Sequence, residues 1–323
     1  MNVRRLIPAT AVAGAVALGL VSLSACSGTS GAAGKNSDGK LDVVASFYPM
    51  QYLAEQIGGD HVAVTTLTKP GVEPHDLDLK PRQIGELGEA GYILYLKGVQ
   101  PAVDDAIKQA GVEHTVDAAT LTELEAHGTA VGHEHGEEHG AEEGHDHGEA
   151  GTDPHIWLDP VKYAEVAKGV GASLEKADPA NAADYRKNTD ALVKKLGDLD
   201  TAFASGLRNT ATKTFITTHS AFGYLAERYG LDQEGITGID PESEPSPARV
   251  KELQDIAKKD KVSTVFFETL ASDKTAKTLA GDTGLRTDVL DPLEGITDKS
   301  RGDDYIEVMQ SNLAALKKAL GAK

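Results

Sequence analysis

The chain has 323 residues, with 50 acidic against 32 basic side chains and a formal charge of −18 at neutral pH. This balance argues against a nucleic-acid partner, which needs a basic face, and one Cys leaves neither an internal disulfide nor a thiolate metal centre. The length suits two domains of ordinary size. In chain order, the N-terminus reads first as a signal sequence. Arg4 and Arg5 are followed by an apolar run over 6–21, shorter than the roughly 20 residues of a spanning helix. Leu23-Ser24-Ala25-Cys26 resembles the bacterial lipoprotein cleavage box, with Cys26 as the acylated residue; an ordinary signal peptide with an incidental Cys is the alternative. Removing 1–25 takes the charge from −18 to −20, because Arg4 and Arg5 go with it. Residues 26–39 are Gly, Ser, Ala and short polar side chains, the composition of a flexible tether.

Strand-like and helical runs then alternate. Segments 41–47, 62–67 and 92–97 predict strands, and 81–89 a short helix with Pro81 in its first turn. Residues 127–152 are His, Glu, Gly and Ala with little apolar content and predict a mobile loop. Asp159-Pro160 reads as an N-cap followed by Pro at the first helical position, with apolar residues at helical spacing through Leu174. Asp178-Pro179 repeats that signal. Tyr185, Leu192, Leu196, Leu199, Phe203 and Leu207 then predict one helix over 179–207, about 43 Å long at a rise of 1.5 Å per residue. A helix of that length reads as a connector between two domains. Beyond it, strands are predicted over 214–218, 235–239, 262–267 and 285–290, and helices over 220–229, 247–259 and 304–320. The fold class is α/β. A first α/β domain spans 40–177, a connector helix 178–208 and a second α/β domain 209–323, each domain with a parallel sheet.

Four chemistry-bearing residues share a structural address. His75 lies past the second predicted strand, His219 directly after the strand over 214–218, and Asp291 after the strand over 285–290; His155 lies in Asp153-Pro154-His155-Ile156-Trp157. The carboxyl edge of parallel strands is where open α/β sheets bind ligands. Two of the four come from each half, so a shared ligand would sit in the cleft between domains. Three imidazoles and a carboxylate suit a tetrahedral Zn²⁺ site, and imidazole also suits copper, nickel and iron. Spacings of 80, 64 and 72 residues form no local metal motif, and a lone His after a strand is more often a capping or hydrogen-bonding residue than a ligand.

Six segments in order resemble the zinc and manganese class of ABC-transporter substrate-binding lipoproteins. They are Val72-Glu73-Pro74-His75-Asp76-Leu77, the stretch from Asp153 through Pro160, Thr218-His219-Ser220-Ala221-Phe222, Ile239 through Ser246, Val265-Phe266-Phe267-Glu268 and Leu290-Asp291-Pro292-Leu293. The resemblance runs from about residue 41 to the end. It implies two α/β domains joined by one long rigid helix, metal in the cleft, and His75, His155 and His219 as ligands. Asp291 stands at the family's acidic fourth position, which water also fills. Some zinc members use a Glu directly before the first ligand His, where this chain has Pro74. Glu268 resembles a family carboxylate that orients a ligand imidazole. Manganese members carry Glu where this chain has His219, and hard Mn²⁺ prefers oxygen, so the third imidazole argues for zinc. A manganese or broader divalent-metal protein of the same family is the alternative reading.

The tract over 127–147 holds His127, His133, His135, His139, His145 and His147, interspersed with acidic residues. Ordering a floppy loop costs roughly 1–2 kcal/mol per residue fixed, so its metal affinity should lie below that of the cleft. The family-implied role is to collect zinc or pass it on. The resemblance further implies a membrane permease with a cytoplasmic ATPase, a monomeric binding protein anchored outside the cytoplasm through Cys26, and an adhesin role in some members. An enzyme is the opposing class. Were Asp291 not a ligand, water could complete a zinc shell and Glu268 serve as base. Ser220 adjoins His219, but no Gly-x-Ser-x-Gly elbow frames it.

Overall fold

A computed structural model describes residues 34–127 and 152–323. The signal segment, Cys26, most of the tether, and His133, His135, His139, His145 and His147 lie outside the described residues. The first half runs β1 (Leu41–Ala45), α1 (Tyr48–Gly58), β2 (Val62–Thr66), α2 (Pro81–Glu89), β3 (Tyr92–Tyr95), α3 (Pro101–Ala110) and β4 (Thr115–Asp117). Two long helices follow, α4 (Pro160–Ala177) and α5 (Ala182–Gly206). The second half runs β5 (Thr214–Thr217), α6 (Gly223–Tyr229), β6 (Asp232–Gly235), α7 (Pro247–Lys259), β7 (Thr264–Phe267), α8 (Lys274–Thr283), β8 (Arg286–Val289) and α9 (Tyr305–Leu320).

Each half carries a four-stranded parallel sheet of the same topology, β2-β1-β3-β4 and β6-β5-β7-β8. These are two α/β domains, and α5 is the long connector between them. Its start is later than the apolar spacing suggests: Pro179–Asn181 form one turn of 3₁₀ helix before the 25 residues of α5. Its buried stripe, Tyr185, Leu192, Leu196, Leu199 and Phe203, joins one core that reaches from Leu41 in the first domain to Leu320 in the second.

Four Asp-Pro steps build the same local device. Asp153, Asp159, Asp240 and Asp291 each accept, through Oδ1, the backbone N–H two residues on, at 2.8–2.9 Å. The Pro fixes φ of the intervening residue and supplies no N–H of its own, so the carboxylate closes the turn without competition. At Asp159 the turn becomes the N-cap of α4.

The helix expected over 220–229 opens only at Gly223. Residues 218–220 are instead pinned to the segment beyond β6: Thr237 N donates to Thr218 O at 2.9 Å, Ser220 N to Gly238 O at 2.8 Å, and Ser220 Oγ to Thr237 O at 3.0 Å. The strand expected over 235–239 is formed by Asp232–Gly235. The last residues of the tether are not free. Lys35 Nζ lies 2.8 Å from the buried Asp178 carboxylate, and Asp42 N donates to Gly34 O at 2.9 Å. Among the described residues no helix is long and apolar enough to cross a membrane.

Candidate metal site

His219 stands two residues beyond the end of β5, in the bend that the Thr237 and Gly238 contacts hold open. Glu268 follows β7 directly, on the strand neighbouring β5. His155 opens the 3₁₀ turn Ile156–Leu158. His75 lies in the long connection between β2 and α2, where Glu73 Oε1 accepts its backbone N–H at 3.1 Å. The chain thus delivers three imidazoles to one point. Their Nε2 atoms lie 3.3, 3.2 and 3.2 Å from a single oxygen, Oε1 of Glu294.

Asp291, placed by sequence in the fourth position, is elsewhere. Its carboxylate accepts from Leu293 N at 2.9 Å, Thr269 Oγ1 at 2.9 Å and Ser300 Oγ at 3.1 Å, while Asn312 brackets its backbone through two further hydrogen bonds. Both carboxylate oxygens thus accept hydrogen bonds that shape the loop. The turn it closes carries Leu293 at φ 59°, a left-handed conformation unusual for a branched residue, and so swings the next residue, Glu294, into the cleft. The signal for this was present in the chain: Asp-Pro is a turn former, and the next carboxylate after it is Glu294.

The other ring nitrogens are held as ligands require. Nδ1 of His155 lies 2.7 Å from Asp153 Oδ1, and Nδ1 of His219 lies 2.9 Å from Glu268 Oε1. A carboxylate on Nδ1 fixes that proton there, orients the ring and leaves the Nε2 lone pair for a cation. His155, His219 and Glu294 are almost fully buried, and the His75 side chain is 10% exposed, so His75 forms the one wet edge. Burial pushes the imidazoles of His155 and His219 down, but Asp153 with Glu294, and Glu268 with Glu294, more than offset it and hold both above the usual range. Burial likewise pushes Glu294 up, and the three imidazoles pull it well below the usual carboxylate range. Glu73 behaves oppositely: burial and then Glu294 push its carboxyl up to about 9, so it is neutral at pH 7.

The residues fit a four-coordinate cation. Ligands about 2.0–2.1 Å from a tetrahedral metal lie about 3.3 Å from one another, and the three Nε2–Oε1 distances are 3.2–3.3 Å. Glu294 Oε2 is buried without a hydrogen-bond partner among the described residues, as are Oε2 of Glu73 and of Glu268. Orphaned carboxylate oxygens in a buried site cost free energy unless a cation or proton serves them. The site is also a seam between domains. Trp157 packs its ring 5.1 Å from that of His155 and donates Nε1–H to Pro292 O at 2.7 Å, tying the turn of His155 to the turn of Glu294.

With this geometry in view, comparison with known proteins is decisive. Residues 43–319 match the family described as zinc-uptake complex component A, periplasmic. This chain belongs to that family. The high-affinity zinc uptake system protein ZnuA of Bacillus subtilis is 39% identical over 308 residues, covering 94% of this chain and 95% of its own length. The zinc-binding lipoprotein AdcA of Streptococcus pneumoniae is 37% identical over 290 residues, but this chain spans only 56% of its length. The Zn(II)-bound structure of the ZnuA-like domain of that protein superposes with a TM-score of 0.70 at 33% identity, covering 87% of this chain and 99% of the domain. Laminin-binding protein of Streptococcus agalactiae, described as bifunctional with adhesin and metal-transporting activity, gives a TM-score of 0.74 at 29% identity, covering 86% and 99%. Members of the zinc-uptake family are binding components of transporters rather than enzymes, and this chain shares their fold and carries a His/Glu cluster that could hold a metal ion.

Proposed function

We propose that this protein captures Zn²⁺ outside the cytoplasm with His75, His155, His219 and Glu294 and delivers it to an ABC permease driven by a cytoplasmic ATPase. The observation that carries the reading is the convergence of three Nε2 atoms on one Glu294 oxygen at tetrahedral-edge spacing. Three nitrogens and one oxygen favour zinc over manganese, which prefers an oxygen-rich shell. Asp153 and Glu268 act through the rings they hold, and Asp291 acts through the turn that presents Glu294. Lipidation at Cys26 would hold a monomer at the outer face of the membrane, within reach of the permease. The His tract over 127–147 supplies weaker capture.

The test is calorimetric titration of chelator-stripped protein with Zn²⁺ and with Mn²⁺, beside a version lacking 127–150. One tight zinc site that survives the deletion, with manganese much weaker, supports the cleft. Loss of all zinc binding with the tract would make the tract the site and the cleft reading wrong. For the anchor, Cys26→Ala is expected to move the protein from the membrane fraction to the medium; retention at the membrane would refute lipidation at Cys26.

A further inference from the structure

Two of the clustered imidazoles stand in the same sequence device. Asp153-Pro154-His155 and Glu73-Pro74-His75 each place an acidic residue and a Pro before the imidazole. In each, the carboxylate accepts the backbone N–H of the His, at 2.9 Å for Asp153 Oδ1 and 3.1 Å for Glu73 Oε1. The Pro between them has no N–H to compete. The two devices then differ. Asp153 Oδ1 also holds Nδ1 of its own His at 2.7 Å, and Glu268 Oε1 holds Nδ1 of His219 at 2.9 Å. Among the described residues no carboxylate holds Nδ1 of His75, whose ring is hydrogen-bonded only through Nε2, to Glu294.

One oxygen of Glu73 is therefore left unengaged. The turns at 153, 159, 240 and 291 are all closed by Asp, so closing such a turn does not need the extra methylene of Glu. Oε2 of Glu73 is buried and has no hydrogen-bond partner among the described residues. The carboxyl lies near enough to the cluster to interact electrostatically with Glu294, Glu268 and His219. A buried oxygen without a partner costs free energy, and an arriving cation displaces any proton that serves it. His75 is the least firmly held of the three imidazoles. Its Nδ1 is unanchored, its side chain is 10% exposed, and it rides the connection between β2 and α2. Glu73 rides the same connection, two residues away.

We propose that Glu73 is an exchange ligand: its free carboxylate oxygen takes the cation as His75 gives it up, so that Zn²⁺ enters and leaves the cleft without a step on which only His155, His219 and Glu294 hold it. The inference rests on reading the cluster as the zinc site. Zinc accepts carboxylate oxygen as well as imidazole, and its shell can expand to five in passing, so the two ligands can overlap on the metal. Glu73 is outside the resting group of four, and its contribution lies along the path. An interaction made only on the path speeds capture and release alike and leaves affinity where it was. A residue that merely held the turn of His75 would act differently: its loss would weaken binding by speeding release.

The experiment uses the full chain, stripped of metal and given a substoichiometric amount of Zn²⁺ so that the tight site takes it. Capture is followed by stopped flow in competition with a fluorescent zinc dye, and release by mixing with excess chelator. Glu73→Gln keeps the Oε1 acceptor that closes the turn and removes the anionic oxygen. It should slow capture and release alike, by about tenfold or more, with affinity within about threefold of the unaltered chain. In a His75→Ala background, where Glu73 has to serve as the resident ligand, the same change should cost about tenfold or more in affinity. Rates indifferent to Glu73→Gln, or faster release with unaltered capture, would overturn the exchange role. So would a His75→Ala protein whose affinity ignores Glu73. Failure of the cleft reading looks different: the tight equivalent would then be indifferent to both His155→Ala and His219→Ala. A tight equivalent that needs those two residues, yet exchanges as fast with Glu73→Gln as without it, would overturn the exchange ligand alone.

Discussion

At the scale of single residues, the two carboxylates Asp291 and Glu294 separate two jobs that sequence alone assigns to one. Glu294→Gln keeps the size of the side chain and removes its charge from the point where three Nε2 atoms meet. It is expected to cost zinc affinity more than roughly 100-fold, beyond what loss of an orienting partner costs. Asp291→Asn keeps the Oδ1 acceptor that closes the turn but disturbs the Thr269 and Ser300 contacts. It should lower thermal stability, by about 1–3 kcal/mol for a buried polar group left poorly paired, while moving zinc affinity less than roughly tenfold. Calorimetry and thermal unfolding on the same two variants separate the roles, and the reverse pattern would restore Asp291 as the ligand. Proton linkage gives a second check. His155 and His219 are held above the usual imidazole range in the metal-free protein, yet zinc needs them neutral, so binding must expel protons. Glu294 is held low and gives up none. Affinity should therefore rise with pH through the raised His range and level off above it. Protons should be released on zinc binding, read by calorimetry in buffers of differing ionisation heat. Zinc binding without proton release would refute this charge state. His75 and His219 were legible from their place after strands and His155 from the family resemblance alone; Glu294 was not singled out, although an Asp-Pro turn precedes it, because the turn that presents it depends on Asp291 acting as backbone glue.

At the scale of elements, what could be read depended on whether a segment advertises its own ends. The helices α2 and α7 carry Pro at the first position, and α9 carries Asp304, whose Oδ1 accepts from Glu307 N at 2.9 Å; all three lie where the sequence puts them, to within a residue. By contrast, α1 is capped by Phe47 without a side-chain bond, and α8 mixes Lys, Thr and Ala with a start at Asp273 that makes no cap bond either. Yet α1 has Pro49 in its first turn, and α3 opens on Pro101 and ends at the left-handed Gly111 without being read from the sequence, so an end signal is not sufficient without an apolar stripe beside it. The edge strand β6, Asp-Gln-Glu-Gly, has no apolar residue at all. It pairs with β5 alone and is specified by that partner, which hydropathy cannot reveal. Packing between elements is equally silent in sequence. Gly171 on α4 faces α5 so closely that a Cβ would lie 2.2 Å from Thr189 Oγ1. Gly171→Ala gains about 1 kcal/mol of helix propensity but forces the two helices apart, and overpacking costs about 1–3 kcal/mol. The expected net result is a lower unfolding midpoint, with recovery in the Gly171→Ala, Thr189→Ala double variant. Destabilisation that persists in the double variant would mean that steric conflict at this crossing is not the cause.

At the scale of the molecule, the question is how far two domains sharing one metal can move. The connector α5 buries five apolar side chains in a core continuous with both domains. It packs against α4 and α1 on one side and α9 on the other, so it cannot swing without opening that core. Two further ties cross the cleft beside the site: Trp157 Nε1 to Pro292 O, and the Tyr305 hydroxyl to Trp157 O. Both join the turn of His155 to the second domain, so parting the domains would strand buried polar groups as well as apolar surface. Of the four clustered side chains His75 alone is partly exposed, and it is carried on the long connection between β2 and α2 rather than on the body of either domain, so movement is expected there. Zinc should enter and leave by local displacement of that connection, on the order of a loop movement rather than a hinge closure. Small-angle scattering of stripped and zinc-loaded protein should then give nearly equal radii of gyration. Hydrogen exchange should slow on loading chiefly over 67–80. A large change in radius, or protection spread evenly over both domains, would show that α5 bends and that the rigid-connector picture fails.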